Sequence, residues 1–337
     1  MSVNVARQMI NAIHRALIYH PQFKEIHYVL SGGEPLMNLP VIKEILNYSQ
    51  EKIGNSGIKK SIGLITNGTL ISPQIISLIK RQNIKISISL DGLSNTTPRV
   101  FKNGRPSTPI VLKNINQLLN SGIHPHILVT ITPENIKEIL DLTQSLVERD
   151  LSFRYALYRD IHHGDYIKNK KVQMELLSTL HKCYDLMEKI GYNERKPIIN
   201  SFETISLRQP RTRSCGIGRN SMCVAHNGNI YLCQSDINIR LPIGSIYDKG
   251  ILNSLWSQKI FTDLQINRGV ENYKFCKVCK WKFLCGGGCP LLTKLTKGKL
   301  NTKSPYCKFF KQIIPRLIRI KALNLINSFI VKTYSKS

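Results

Sequence analysis

The chain predicts an α/β protein: a parallel sheet, open or curled into a barrel, followed by a small cysteine-rich domain. Short apolar runs alternate with amphipathic segments over the first half, and eight of the nine cysteines lie from Cys215 onward. Alternating strands and helices imply parallel strands joined by right-handed crossovers, with chemistry at the strands' carboxyl ends. A length of 337 residues and a hydrophobic fraction of 42% allow two domains with an ordinary core.

Taken in order, Ser2 to Tyr19 reads as an amphipathic helix. Strands are expected over His27 to Ser31, Ser61 to Thr66, Ile84 to Leu90, Ile127 to Ile131 and Phe153 to Tyr158, which are apolar runs bounded by turn residues. Helices are expected over Val41 to Lys52, Pro73 to Gln82, Ile110 to Ser121, Glu134 to Arg149 and Leu176 to Ile190, the last holding Cys183 as a buried or free thiol. His162-His163-Gly164-Asp165 reads as a loop beyond the fifth strand, because adjacent histidines on a strand point to opposite faces and make a poor metal clip. Gln209 to Arg213, with Pro210, is the expected linker between a first domain over 1–208 and a second over 209–325, with a basic tail over 326–337. In Phe309 to Tyr334, Ile and Leu recur at helical spacing, interrupted by Pro315 and by basic residues. That pattern holds no run of about twenty apolar residues to span a bilayer. It suits core packing better than a membrane-surface helix.

The predicted strand ends carry Ser31-Gly32-Gly33-Glu34-Pro35, Thr66-Asn67-Gly68 and Ser89-Leu90-Asp91-Gly92. Paired glycines let a ligand approach the backbone, and a carboxylate beside them can pair with an ammonium group. Singly, each is also an ordinary turn dipeptide.

The cysteines are more specific. Cys276-x2-Cys279-x5-Cys285-x3-Cys289 is a dense clip, with Cys307 behind it and Cys215-x7-Cys223-x9-Cys233 ahead. Two cysteines two residues apart turn both sulfurs toward one centre. The irregular spacing suits two interleaved iron-sulfur clusters, and a pair of zinc sites stays open. Disulfides are the least expected, since the first residues read as a helix rather than a secretory leader.

Together these motifs resemble the radical S-adenosylmethionine enzymes that carry a SPASM-type auxiliary cluster domain, from about Ala6 to Leu325. By that resemblance Gly32, Gly33, Glu34 and Pro35 contact the methionine amino group of S-adenosylmethionine. Asn67 and Ser89 line the same pocket, and Ser107 in Gly104-Arg105-Pro106-Ser107 matches a serine near the methionine carboxylate. Two auxiliary [4Fe-4S] clusters are implied: Cys215, Cys223, Cys233 and Cys289 for the first, and Cys276, Cys279, Cys285 and Cys307 for the second. The family's Cys-x3-Cys-x2-Cys loop is not matched, because no cysteine precedes Cys183. The expectation is therefore a barrel missing its first strand, an N-terminally shortened and inactive form, and weak or lost S-adenosylmethionine binding.

The resemblance implies a cytoplasmic enzyme that modifies a precursor peptide by crosslinking or oxidation. Trp281 to Leu291 and Ser304 to Cys307 look most like cyclophane-forming peptide maturases. Sulfatase maturases carry an aspartate directly after the Gly-x4-Cys hairpin cysteine; here Gln234 stands there, with Asp236 two positions on. A non-catalytic iron-sulfur or peptide-binding protein is the other function class. The net charge of +27 is spread along the chain. It reads as compositional bias or as a match to an acidic peptide, and no nucleic-acid motif accompanies it. Neither the peptide nor the oligomeric state is legible.

Overall fold

The computed structural model describes residues 1–94, 99–159, 169–190, 202, 205–237, 239, 241–254 and 269–334. His162 to Asp165 lie outside them. The chain divides into two compact units, Met1–Ser87 with Gly216–Asn267, and Ile88–Cys215 with Arg268–Ser337. The described residues hold a parallel five-stranded sheet of the partial-barrel kind, in the order β1 (Glu25–Leu30), β2 (Lys59–Thr66), β3 (Lys85–Ser89), β4 (His126–Ile131) and β5 (Phe153–Leu157).

In the first unit, α1 (Val3–Tyr19) starts at Ser2, whose hydroxyl accepts the Val5 N–H at 3.3 Å. It packs on α2 (Leu39–Ile53); Val5, Met9, Ile10 and Leu17 of α1 and Ile42, Ile45 and Leu46 of α2 are buried. β1 pairs with β2 from Glu25↔Lys59 to Leu30↔Leu64 and is the outer strand of the described sheet. Its Val29 side chain is 49% exposed. Pro73 opens α3 (Pro73–Arg81), with Ser72 capping the Ile75 N–H.

In the second unit, α4 (Thr108–Asn120) precedes β4, which pairs with β5 from Ile127↔Phe153 to Ile131↔Leu157. The helix expected over Glu134 to Arg149 begins later, as a 3-10 turn at Ile136–Glu138 running into α5 (Ile139–Glu148). Asn135 explains the delay: its Oδ1 accepts the Thr132 N–H at 2.8 Å and its Nδ2 donates to Thr130 O, so it belongs to the strand end. Tyr155 on β5 packs edge-on to Phe153 and to Tyr184 of α6 (Lys170–Lys189) and is tilted against Phe202, which in turn meets Phe309.

The remaining elements are short. In the first unit β6 (Cys223–Val224), β7 (Asn229–Tyr231) and β8 (Gly244–Ser245) form an antiparallel sheet, followed by α7 (Ile251–Ser254). In the second unit follow α8 (Lys282–Cys285), α9 (Pro290–Lys297) and α10 (Cys307–Tyr334). Pro315 does not interrupt α10 but lies within it. An internal proline costs about 3 kcal/mol. Phe309, Phe310, Ile313, Ile314, Leu317 and Ile320 are all buried around it, and burial of each such side chain contributes roughly 1.5–3 kcal/mol. Arg316 bridges to Asp185 and Glu188 of α6 at 2.5 and 2.8 Å. No helix among the described residues is long and apolar enough to cross a membrane.

Candidate functional site

The turn after β1 is organised by Glu34. Its Oε1 accepts the Thr66 hydroxyl at 2.7 Å and the Leu36 N–H at 3.1 Å, and its Oε2 accepts the Asn67 N–H at 2.7 Å. The carboxylate thus ties the ends of β1 and β2 together, and Pro35 then opens a 3-10 turn. Asn67 turns its own Oδ1 onto Thr69, accepting the backbone N–H at 2.9 Å and the hydroxyl at 2.7 Å. Gly32 and Gly33 are exposed, with nothing within 4 Å of where a Cβ would stand, and Gly32 has φ +145°. Glycine serves here by backbone freedom and leaves open space at the strand end. Ser31 donates to Gln234 Oε1 at 3.0 Å.

In the second unit Ser89 closes β3, half-buried. Beyond it the buried Asp91 accepts the Thr130 N–H at 2.7 Å and bridges to Arg99 at 2.5 Å, while Asn135 donates to the Asp91 carbonyl at 2.8 Å. The Ser107 hydroxyl is buried and donates to the Arg99 carbonyl at 2.9 Å. Sequence reading singled out Ser107 but not Arg99 or Asn135, whose partners lie 8 and 44 residues away.

Four cysteines of the second unit lie near enough for the charge of one to act on the ionisation of another. Burial raises the Cys276 thiol, and Cys307 and Cys279 add to the rise while Lys311 and Lys303 oppose it. Burial pushes Cys285 up to about 12, with Cys307, Cys276 and Cys279 contributing. Cys307 is raised by burial first, then held down by Lys311 and Lys303. Burial and mutual repulsion disfavour the thiolates, so the neutral thiols are favoured here until a cation-rich core offsets the charge of the ionised form. A chain of three left-handed glycines builds the fold there: Gly286 (φ +60°), Gly287 (φ +84°) and Gly288 (φ +75°). A Cβ on Gly286 would lie 2.6 Å from Arg213 C and Ser214 N, so the two segments meet backbone to backbone.

The other predicted ligands divide between the units: Cys223 and Cys233 belong to the first, Cys215 and Cys289 to the second. Cys223 faces Tyr231 across the β6–β7 hairpin, and its thiol is raised by burial and then by Cys233. The hairpin turn is tight at Gly228 (φ +90°), where a Cβ would come 2.8 Å from the Tyr247 ring. Cys183 stands apart, buried beside Thr143, whose hydroxyl lies 3.4 Å from its sulfur.

All nine cysteines are free thiols. Among the described residues no three His, Cys, Asp or Glu side chains gather tightly enough to hold a single metal ion. The donor set at Cys276, Cys279, Cys285 and Cys307 is thiol throughout, which fits an iron-sulfur core carried on four thiolates.

Comparison with known proteins bears on that donor set. The Radical SAM superfamily matches residues 7–146, and the SPASM iron-sulfur cluster-binding domain matches residues 215–280. An uncharacterised protein of Methanocaldococcus jannaschii is 30% identical over 232 residues, 67% of this chain and 74% of the relative. A cysteine-type anaerobic sulfatase-maturating enzyme of Clostridium perfringens is 24% identical over 317 residues, 87% of this chain and 82% of the relative. The antilisterial bacteriocin subtilosin biosynthesis protein AlbA of Bacillus subtilis is 27% identical over 266 residues, 77% of this chain and 55% of the relative. The solved structure of native anSMEcpe with bound AdoMet and Cp18Cys peptide shares the fold, with a TM-score of 0.74 at 20% identity, covering 96% of this chain and 91% of that one. The chain belongs to the radical SAM superfamily and carries a SPASM iron-sulfur cluster-binding domain.

Proposed function

We propose that this protein is a peptide-modifying maturase whose residues 1–208 form the S-adenosylmethionine-binding part and 209–325 the cluster domain, with 326–337 a basic tail. The observation that carries the reading is the group Cys276, Cys279, Cys285 and Cys307, four half-buried free thiols on the segments around the triglycine turn Gly286–Gly288. Those four hold the second auxiliary cluster, and Cys215, Cys223, Cys233 and Cys289 the first. Radical chemistry on a peptide is what bound S-adenosylmethionine supplies in this family. Both carboxylate oxygens of Glu34 already hold neighbours. Its role is to shape the turn, so the exposed Gly32–Gly33 backbone meets the methionine ammonium, while Asn67, Ser89 and Ser107 line the pocket. The names of two relatives, one a bacteriocin biosynthesis protein and one a sulfatase maturase, support a peptide as the partner. Gln234 after Cys233 favours the former over the latter. Free thiols throughout suit a cytoplasmic setting.

A second reading rests on one fact: no cysteine precedes Cys183 in this sequence, so the family's Cys-x3-Cys-x2-Cys is not matched within it. On that reading it is an iron-sulfur protein that binds a peptide without starting the radical reaction. Anaerobic reconstitution tests what the two share, with about eight irons expected per chain. Cys276→Ala with Cys279→Ala removes about half of them, and stoichiometric zinc without iron-dependent absorbance sinks both readings. The codons upstream of Met1 separate them: a strand followed by Cys-x3-Cys-x2-Cys encoded there supports the maturase, and its absence the binding protein, while 5'-deoxyadenosine formed from S-adenosylmethionine and dithionite by this chain alone excludes the second reading.

A further inference from the structure

No motif marks Arg211, yet it holds both ligand loops of the second unit. Its Nη1 donates to Ser214 O at 3.1 Å, and its Nη2 reaches Leu284 O at 3.5 Å. Ser214 and Leu284 are the residues directly ahead of Cys215 and Cys285. The backbone reinforces the join: Arg211 N–H donates to Phe283 O at 2.9 Å, Ser206 N–H to Leu284 O at 3.0 Å, and the Ser214 hydroxyl to Gly288 O at 2.5 Å. Burial lowers the half-buried guanidinium, while Cys285 and then Cys215 act to keep it charged. A guanidinium is a planar fork that stays protonated, able to grip two carbonyls at once where an ammonium offers a single point charge.

We propose that Arg211 is a positioning cation shared by the two auxiliary cluster sites, gripping the carbonyls ahead of Cys215 and Cys285 and setting one fixed positive charge beside a ligand of each. This rests on the iron-sulfur reading, in which those two cysteines serve different clusters. Two consequences follow from one side chain. The two loops are held in register for loading, and each cluster becomes easier to reduce, because a nearby cation favours the more negative state. In that reduction one electron passes from an external reductant such as dithionite to the core, and no bond to Arg211 forms or breaks.

The test is reconstitution of the full chain as wild type, R211M and R211K, followed by iron analysis and EPR-monitored redox titration. In R211M the reduced-to-oxidised ratio of both clusters at a fixed potential falls about tenfold, which is a shift of about 59 mV for a one-electron couple. R211K recovers the potential because the charge returns, but loads less iron than wild type because one ammonium cannot bridge both carbonyls. Wild-type potentials in R211M, or a shift confined to one cluster, overturn the proposal. If R211M does not fold, R211K decides alone: wild-type potentials with reduced loading support the role, and full loading or a shifted potential refutes it. Wild-type chain that takes up no iron defeats the iron-sulfur reading itself, a result distinct from any effect at Arg211.

Discussion

Glu34 Oε2 accepts the backbone N–H of Asn67 at 2.7 Å, across 33 residues of sequence, and so clamps the turn after β1 to the turn after β2. The other oxygen takes the Thr66 hydroxyl at 2.7 Å. A single carboxylate therefore sets the shape of two strand ends that a ligand at this edge must meet.

E34Q removes the ionised acceptor while keeping the side chain's size. Hydrogen bonds to a charged group contribute roughly 1.5–3 kcal/mol each in favourable settings. A loss of about 1–3 kcal/mol in urea unfolding is expected, together with weaker S-adenosylmethionine binding by calorimetry. A midpoint equal to wild type shows that the charge does not organise the turn.

Gly286 and Gly298 separate backbone strain from crowding, since both are left-handed, at φ +60° and +70°. A Cβ on Gly298 meets nothing within 4 Å, whereas one on Gly286 strikes backbone at 2.6 Å. G298A is expected to cost about 1–2 kcal/mol, the left-handed penalty alone, with iron content unchanged. G286A costs more and also loses iron, because the segment bearing Cys285 must move off Ser214. Equal effects in thermal unfolding and iron analysis show that the close approach is not needed.

Cys183 serves the core rather than a cluster. It is fully buried, with the Thr143 hydroxyl 3.4 Å away and Tyr155 hydrogen-bonded to that same hydroxyl at 2.6 Å. C183A therefore leaves the iron content of reconstituted protein at the wild-type value and lowers stability by about 1 kcal/mol. Loss of iron in this variant contradicts the assignment.

His126 gives a pH dependence that does not involve the clusters. Burial, and then the Arg154 charge, lowers its pKa to about 4, while Ser152 Oγ lies 3.1 Å from Nδ1. The folded state disfavours the imidazolium, so the stability from neutral His126 is complete above about pH 6.5 and falls as pH drops toward 4. The loss is at most about 3 kcal/mol. H126N flattens the stability profile between those pH values in denaturant titrations, and an unchanged slope rules the histidine out as its source.

The five strands lie within about two residues of where their apolar runs placed them, because burial of alternate side chains is a local property of the chain. The Gly228-x4-Cys233 hairpin was expected only from the family resemblance; β6 and β7 form it, with Gly228 left-handed at the turn. The helical spacing over Phe309 to Tyr334 was legible as well, and the buried faces of α10 on both sides of Pro315 show why the helix continues through a proline that locally disfavours it.

By itself the sequence determined the parallel α/β architecture and the thiol character of the cluster domain, which follow from residue spacing, and its motifs together carried the resemblance to the family. Only the tertiary structure decided that Glu34 holds Asn67, that Asn135 delays a helix by bonding to a strand end, and that Arg211 joins the segments bearing Cys215 and Cys285. The Glu34–Asn67 and Arg211–Leu284 contacts pair groups 33 and 73 residues apart, and the Asn135–Thr130 contact, though only 5 residues long, forms against a strand end that the sheet sets. Periodicity records which side chains leave water, but a hydrogen bond's partner is chosen only once the folded backbone brings donor and acceptor within about 3 Å.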